Sequence, residues 1–346
     1  MARKVLWGSL ALAPITVLVD KLTGAGDVTL FVLAALSLVP LAWLIGISTE
    51  HAAEHTGPGI GGFLNASFGN APELIVALFA VGANLPDVVR GSLSGSVISN
   101  LLLVYGATQI AGPDGARIDR RSLLLQIGLV AAAVVLFVFP AALGYTGAPD
   151  RHAVVVASVP VAIVLLLLYV AVTGWNLRRH REREREEPAE GAWSLGTALA
   201  VLAVATGVTA WVSEILVHSL AAFAEAVGLS EFFVAVVIVA IVGNAAEHGG
   251  SIVIAHSGKM RLATEIAISS AAQVALLVVS VVMLLSLLFT HPLALAFRWT
   301  ELFAMGGAAV IVTVTVWDGS SRRKEGMLLV AAYAAAVVGF LLGGGR

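Results

Sequence analysis

The sequence has no cysteine and little charge. Without Cys there is no disulfide framework, no thiolate chemistry and no sulfur-based metal site. Asp, Glu, Lys and Arg make up 12% of 346 residues, about half the ~25% of soluble domains, too little to coat a globule of this length. Twenty Lys and Arg stand against twenty-two Asp and Glu, with one short basic tract, which argues against a nucleic-acid partner. The excess is apolar: 59% hydrophobic residues and a mean hydropathy of +0.95. That excess excludes disorder. The apolar runs are continuous and helix-length rather than alternating, which excludes an outer-membrane barrel. The chain reads as an all-α polytopic membrane protein whose first partner is the lipid bilayer.

A bilayer core of ~30 Å takes about 20 apolar residues as helix. Eleven segments qualify: 5–20, 28–53, 60–84, 88–111, 121–144, 152–176, 194–220, 231–256, 261–289, 296–317 and 326–343. The first contains Ala11-Leu12-Ala13, which imitates a signal-peptide cleavage site, but Pro14 follows it and the segment is read as a retained helix. With eleven spans, fifteen Lys and Arg fall on one side, among them Arg3, Lys4, Arg117, Lys259 and Arg322. Five fall on the other: Lys21, Arg90, Arg151, Arg298 and Arg346. The positive-inside rule then places the N-terminus in the cytoplasm and the C-terminus outside, across a cell inner (plasma) membrane.

Gly69-Asn70-Ala71-Pro72-Glu73 recurs 174 residues later as Gly243-Asn244-Ala245-Ala246-Glu247. The same shift carries Ser96 onto Ser270 and Ser99 onto Gln273. The chain therefore divides into an N-terminal helix (1–27), a first five-helix repeat (28–177), a charged linker (178–193) and a second five-helix repeat (194–346). Five is odd, so the halves enter the membrane from opposite sides, the inverted-repeat plan that puts a transport site at midplane. The linker, with five Arg and five Glu, reads as a solvated connector.

Glu73 and Glu247 lie inside apolar spans, where a charge costs at least ~2.5 kcal/mol and marks function. An Asn stands three residues before each, on the same helix face, and a Gly precedes each Asn. Pro72 has no N–H and leaves the Phe68 carbonyl without its helical donor. The donor set around the acids is all oxygen: Asn70, Asn244, Ser96, Ser99, Ser269, Ser270 and loosened carbonyls at Gly69 and Gly243. That set suits a hard cation such as Ca²⁺, and Mn²⁺ also fits it. The same carboxylates can hold protons or the cation but not both fully, and if only loaded forms reorient the result is antiport. Glu50, Glu54, Glu214, His51, His55 and His218 stand near the ends of the second and seventh spans, placed to relay protons or draw in the ion.

Two stretches carry a resemblance. G-G-F-L-N-A-S-F-G-N-A-P-E-L-I-V-A-L (61–78) and V-G-N-A-A-E-H-G-G-S-I-V-I-A (242–255), the latter followed by S-S-A-A-Q-V (269–274), resemble the two signatures of the cation/proton exchanger (CAX) branch of the calcium/cation antiporter superfamily. The resemblance implies Ca²⁺/H⁺ exchange with Ca²⁺ as cargo, no cofactor and no particular oligomeric state. It also implies ion binding by Glu73 and Glu247 with support from Asn70, Asn244, Ser96, Ser270 and Gln273, and a proton-relay or gating role for Glu50, Glu214 and His248. Three positions depart from the family pattern. Pro72 replaces a common Thr, Ala240 replaces a common Pro and so predicts a straighter second broken helix, and the linker is charge-balanced rather than acidic.

Two other readings have a basis in the residues. A sodium-driven calcium exchanger of the same superfamily would carry extra acids and hydroxyls, and the set here is sparse for that. His51-Ala52-Ala53-Glu54-His55 spells the H-x-x-E-H pattern of an inverted zinc hydrolase, with His51 and His55 on one helix face and Glu54 as general base. No third ligand is committed to it.

Overall fold

In hydrocarbon every backbone N–H and C=O must find a partner within the protein, and a helix supplies those partners segment by segment. The computed structural model describes residues 2–145, 147–180 and 193–343, so most of the charged linker lies outside the described residues. Its helices are α1 (Val5–Leu22), α2 (Asp27–Phe68), α3 (Ala71–Gly82), α4 (Pro86–Ala111), α5 (Arg120–Tyr145) and α6 (His152–His180), then α7 (Leu195–Val227), α8 (Glu231–Gly243), α9 (Ala245–His256), α10 (Met260–Ser286), α11 (Trp299–Val316) and α12 (Arg323–Gly343). Among the described residues nine helices are long and apolar enough to cross a membrane, and α8 with α9 forms a tenth crossing bent by 55°. A two-residue antiparallel ladder, β1 (Ala116–Arg117) with β2 (Ser320–Ser321), ties the α4–α5 connection to the α11–α12 connection.

The polarity is turned inside out relative to a soluble protein. Val135, Phe303 and Val314 are exposed on outward faces, while Thr16, Ser37, Asn70, Ser96, Asn100, Asn244 and Ser270 are buried. Lipid can cover the former, and the latter must pair inside.

The long helix α2 runs beside α7. Phe31 stacks on Phe223 at 4.1 Å between ring centroids, and at the other end His55 Nε2 lies 2.6 Å from the Trp193 carbonyl oxygen. The two helices are therefore antiparallel. A straight helix of 42 residues would extend about 63 Å. Phe68 nevertheless packs into the cluster of Leu44, Ile45, Leu202 and Ala205, back at the depth of residues 44–45. The helical run thus turns back on itself between Thr56 and Phe68, where the sequence reads Gly57-Pro58-Gly59-Ile60-Gly61-Gly62. These are the residues least suited to a continuous helix.

Helix α4 is the most enclosed of the spans and packs closely against α8. A Cβ at Gly95 would overlap the Val236 carbonyl, and one at Gly91 would lie 3.1 Å from the Phe232 ring. Glycine at both positions lets the backbones approach, as small residues do between membrane helices. Three helices contain a π-helical segment: Ser99–Val104 in α4, Val234–Val239 in α8 and Val274–Val278 in α10.

Between α10 and α11 the chain is not helical, yet Leu293 to Phe297 are buried. Side chains supply the partners that a helix would have given. Ser286 Oγ accepts from the Leu293 N–H, Asp150 Oδ1 from Ala294, and Ser158 Oγ from Leu295. Arg90, 1% exposed, donates to the Ala294 carbonyl and pairs with Asp150 and Asp87, each at 2.8 Å. Arg298 pairs with Asp87 at 2.8 Å, and Glu301, fully buried, accepts from the Ser94 hydroxyl and the Arg298 N–H. The charge count from sequence set Arg90 and Arg298 among the loop charges, with Asp87 beside Arg90. Here they form one network that makes a buried irregular strap possible. Replacing Arg90 by Met is expected to cost about 3–5 kcal/mol, the effect of leaving buried partners uncompensated. Thermal unfolding in detergent reads this as a clearly lowered midpoint, with part of the loss recovered by Arg90→Lys.

Candidate cation site

The two repeated motifs fold alike. Asn70 (φ −97°, ψ 17°) and Asn244 (φ −91°, ψ 7°) each stand just before a half-helix, α3 and α9, and their carbonyls accept from the N–H of Leu74 and His248. Gly and Pro lower helix stability at the break, and tertiary packing of both halves sets the angle. With Ala240 in place of a proline, α8 and α9 still meet at 55°. The Gly243-Asn244 break, following a π-helical segment, makes the bend without proline.

Each acid occupies the first turn of its half-helix, Glu73 in α3 and Glu247 in α9. The free N–H groups there carry a partial positive charge that favours a carboxylate. Glu73 is buried, and both its carboxylate oxygens are buried without a hydrogen-bond partner. Glu247 is the neighbouring charge that acts on it. Gly243 faces Glu73 across the two halves: a Cβ there would stand 3.3 Å from Glu73 Cγ. A cavity of about 10 Å³ opens beside Glu73, lined by Ser92, Ser96, Val239 and Gly243 among others. That is room for about one water-sized particle.

The remaining polar side chains join the halves. Asn70 Nδ2 donates to Gln273 Oε1 at 2.7 Å, and Asn244 Nδ2 donates to Ser96 Oγ at 2.7 Å. Ser270 Oγ donates to Glu247 Oε2. Asn100 Nδ2 donates both to Asn244 Oδ1 at 3.0 Å and to Ser270 Oγ at 3.1 Å. The Ala240 carbonyl can only accept, and it takes a bond from Asn244 Nδ2. This fixes the Asn244 amide orientation and obliges Asn100 to present its NH₂ there.

Asn70, Glu73, Ser96, Asn244, Glu247, Ser270 and Gln273, all expected from sequence, are therefore brought together. Ser99 and Ser269 instead return their hydroxyls to carbonyls of their own helices. Asn100 was missed, because its counterpart at the repeat shift is Val274 and the repeat could not point to it. His248 is buried beside Glu247, with Nε2 lacking a partner. Glu50 and Glu214 lie on exposed faces of α2 and α7 and do not join the cluster. In the H-x-x-E-H stretch, His51 Nδ1 is 3.9 Å from Glu54 Oε2, and the His51 ring packs on Trp193. Among the described residues no three His, Asp or Glu gather as a metal cluster, and His55 is engaged with the Trp193 carbonyl.

The sequence matches the family described as sodium/calcium exchanger protein over residues 27–178 and 197–342. The chain belongs to that family. It is 39% identical over 328 residues to the Ca²⁺/H⁺ antiporter ChaA of Bacillus subtilis (strain 168), covering 90% of this chain and 92% of the relative. It is 34% identical over 348 residues to a Ca²⁺/H⁺ antiporter of Synechocystis sp., covering 92% of each. The native YfkE structure superposes with a TM-score of 0.84 at 35% identity, over 97% of this chain and 99% of that one.

In this exchanger the fit of Gly243 against Glu73 leaves no slack. Gly243→Ala is expected to weaken divalent-cation binding by ~1 kcal/mol or more, roughly fivefold in Kd. Isothermal titration calorimetry in detergent checks this, with the unfolding midpoint nearly unchanged.

Proposed function

We propose that this exchanger carries Ca²⁺ out of the cell in exchange for H⁺, across the plasma membrane and by alternating access. The N-terminus is then cytoplasmic and the C-terminus external, and the chain from 28 to 177 and from 194 to 346 forms two inverted five-helix repeats. On this reading residues 57–68 with α3 form the first broken crossing, the counterpart of α8 with α9, which completes eleven crossings. The proposal rests on one observation. Two carboxylates stand on facing half-helix first turns inside apolar spans, and the groups around them from both halves are oxygen ligands and amides.

The chemistry follows from competition for the same lone pairs. A Ca²⁺ ion takes six to eight oxygens, so carboxylates, amide oxygens and hydroxyls from both halves must turn toward it together. For Glu247 to ligate, the Ser270 hydroxyl must turn its proton away from Oε2 and offer its own lone pair. A proton on either carboxyl removes the charge that holds the ion. Binding of one cargo thus expels the other. Gly69 and Gly243 contribute carbonyls at the breaks, where helical bonding is already interrupted. Glu50, Glu214 and His248 are assigned to gating or proton relay, the first two on the antiparallel pair α2 and α7 that would slide to expose the site alternately. Mn²⁺ would fit the same donors.

Three features support Ca²⁺/H⁺ exchange over a sodium-driven cycle: the sparse set of acids at the site, the two signatures, and the printed activities of the relatives at 39% and 34% identity. The test is uptake of radiolabelled Ca²⁺ into proteoliposomes under an imposed pH gradient without Na⁺. Glu73→Gln and Glu247→Gln are each expected to lower uptake at least roughly tenfold, as loss of one charged ligand worth ~1.5–3 kcal/mol requires. Uptake that starts only when Na⁺ replaces the pH gradient would assign the sodium-driven cycle instead, and undiminished uptake in both variants would move the site elsewhere.

A further inference from the structure

A line of buried polar groups runs along α4 away from the cation site, and beyond Asn100 neither the fold nor the site uses it. It begins at Asn100, whose Oδ1 is buried without a partner. The π-helical segment that starts at Ser99 brings Tyr105 directly below, since the Tyr105 N–H donates to the Asn100 carbonyl five residues back. One α-helical turn further comes Gln109. The spacing Ser96, Asn100, Tyr105, Gln109 is four, five, four, and only the extra residue of the π-helix keeps all four on one face.

These groups are fully enclosed yet unsatisfied. Tyr105, Thr108 and Gln109 are all 0% exposed. The Tyr105 hydroxyl, the Thr108 hydroxyl and both amide atoms of Gln109 lack hydrogen-bond partners. The Tyr105 hydroxyl lies within interaction range of the Gln109 amide and the Thr315 hydroxyl of α11, but with neither in the geometry of a full hydrogen bond. The line ends at the start of α12, where the Gly326 backbone packs on Gly106 and Gln109. Next to Gly326, Glu325 has a buried, unpartnered Oε2, while its Oε1 lies 3.4 Å from Arg322. Buried polar atoms that the protein leaves unpartnered are where ordered water supplies the missing bonds.

The second half has no such line. At the repeat shift, Asn100, Tyr105, Thr108 and Gln109 correspond to Val274, Val279, Val282 and Met283, although α10 has a π-helical segment at the same place. If these side chains only helped helices pack, both repeats would have reason to carry them. A track present in one half leads to one side of the membrane.

We infer that the face Asn100–Tyr105–Gln109 of α4, ending on Glu325, is a hydrated proton route between the cation site and the cytoplasmic surface, separate from the path of the cation. It rests on the antiport reading and the orientation proposed above. Ser270, which accepts from Asn100 and donates to Glu247, is its inner end. A proton released at the site passes by hops along water held by Asn100 Oδ1, the Tyr105 hydroxyl and the Gln109 amide. Each hop forms one O–H bond as another breaks, and the last places the proton on Glu325 Oε2, from which it leaves to bulk water. The charged groups facing Glu325 are Arg322, Asp318 and Asp114. The direct contact of Tyr105 with Gln109 falls short of full hydrogen-bond geometry in this structure, so the track conducts only in a conformation that admits continuous water, as a coupled exchanger requires.

Two transport modes of the purified protein in proteoliposomes separate this role from a structural one. Ca²⁺/H⁺ exchange, driven by a pH gradient and read by radiolabelled Ca²⁺ with an internal pH dye, needs proton passage. Ca²⁺/Ca²⁺ exchange at equal pH needs only the loaded carrier to reorient. Gln109→Leu and Tyr105→Phe are expected to slow Ca²⁺/H⁺ exchange at least about tenfold while leaving Ca²⁺/Ca²⁺ exchange and calorimetric Ca²⁺ affinity within about twofold of wild type. Glu325→Gln is expected to do the same and to flatten the pH profile of exchange on the cytoplasmic side. Gln109→Glu, which keeps a polar group in place, restores part of the rate and controls for folding. Equal loss of both modes, or no loss of either, would overturn the route. If wild type shows no pH-driven uptake at all, the antiport reading fails first, and the two failures are thereby told apart.

Discussion

Two carboxylates held inside hydrocarbon govern the rest of this molecule. An isolated charge there costs several kcal/mol, so every neighbouring element is arranged to offset it. The half-helices α3 and α9 aim their N-terminal ends at Glu73 and Glu247. Gly243 gives up its side chain so that Glu73 can fit, and the amides of Asn70, Asn244 and Asn100 link the two halves around them. Breaking both crossing helices at an Asn frees backbone groups at midplane, tolerable only because α4, α8 and α10 enclose the breaks. Function and fold are thus one problem: the groups that make the site costly are those that fix where the helices cross.

The same logic governs the far end of the molecule. The strap from Leu293 to Phe297 leaves helical geometry while buried, and its N–H and C=O groups are met by Ser286, Ser158, Asp150 and Arg90. Arg90 serves as a fixed substitute for solvent. Its charge is balanced by Asp87 and Asp150, themselves held by the strap and by Arg298, so removing one member leaves several groups without partners. This network and the Gly91–Gly95 face of α4 join elements of both halves into one frame.

Much of this was legible in the residues because lipid imposes a coarse code. Continuous apolar runs read as helices, and a carboxylate inside such a run stands out as a candidate site, so the spans and the Glu73–Glu247 pair could be picked out from the residues. The repeat extended the site to Ser96, Ser270, Asn70, Asn244 and Gln273, since two copies of one spacing are harder to produce by chance than either alone. What escaped lacked a counterpart. Asn100 pairs with Val274 across the repeat, and Arg90 looks like a flanking loop charge until the strap that buries it is folded. The bend at Asn244 needs no proline, since the Gly243-Asn244 break bends α8 against α9 without one. The separate spans 28–53 and 60–84 placed a connection between them, whereas the backbone keeps helical geometry from Asp27 to Phe68.

The π-helical segments carry a consequence for how this sequence can change. Each holds one more residue per turn than its surroundings, and each residue advances an α-helix by about 100°. Deleting a single position between Ser99 and Val104 would therefore let that stretch relax to α-helix and leave Tyr105 and Gln109 on their face. The same deletion in the α-helical turns before Ser99 would rotate the whole remainder of α4 and carry Gly106 away from Gly326. The π-helical segment is thus the one stretch of α4 that can lose a residue without re-aiming the groups beyond it.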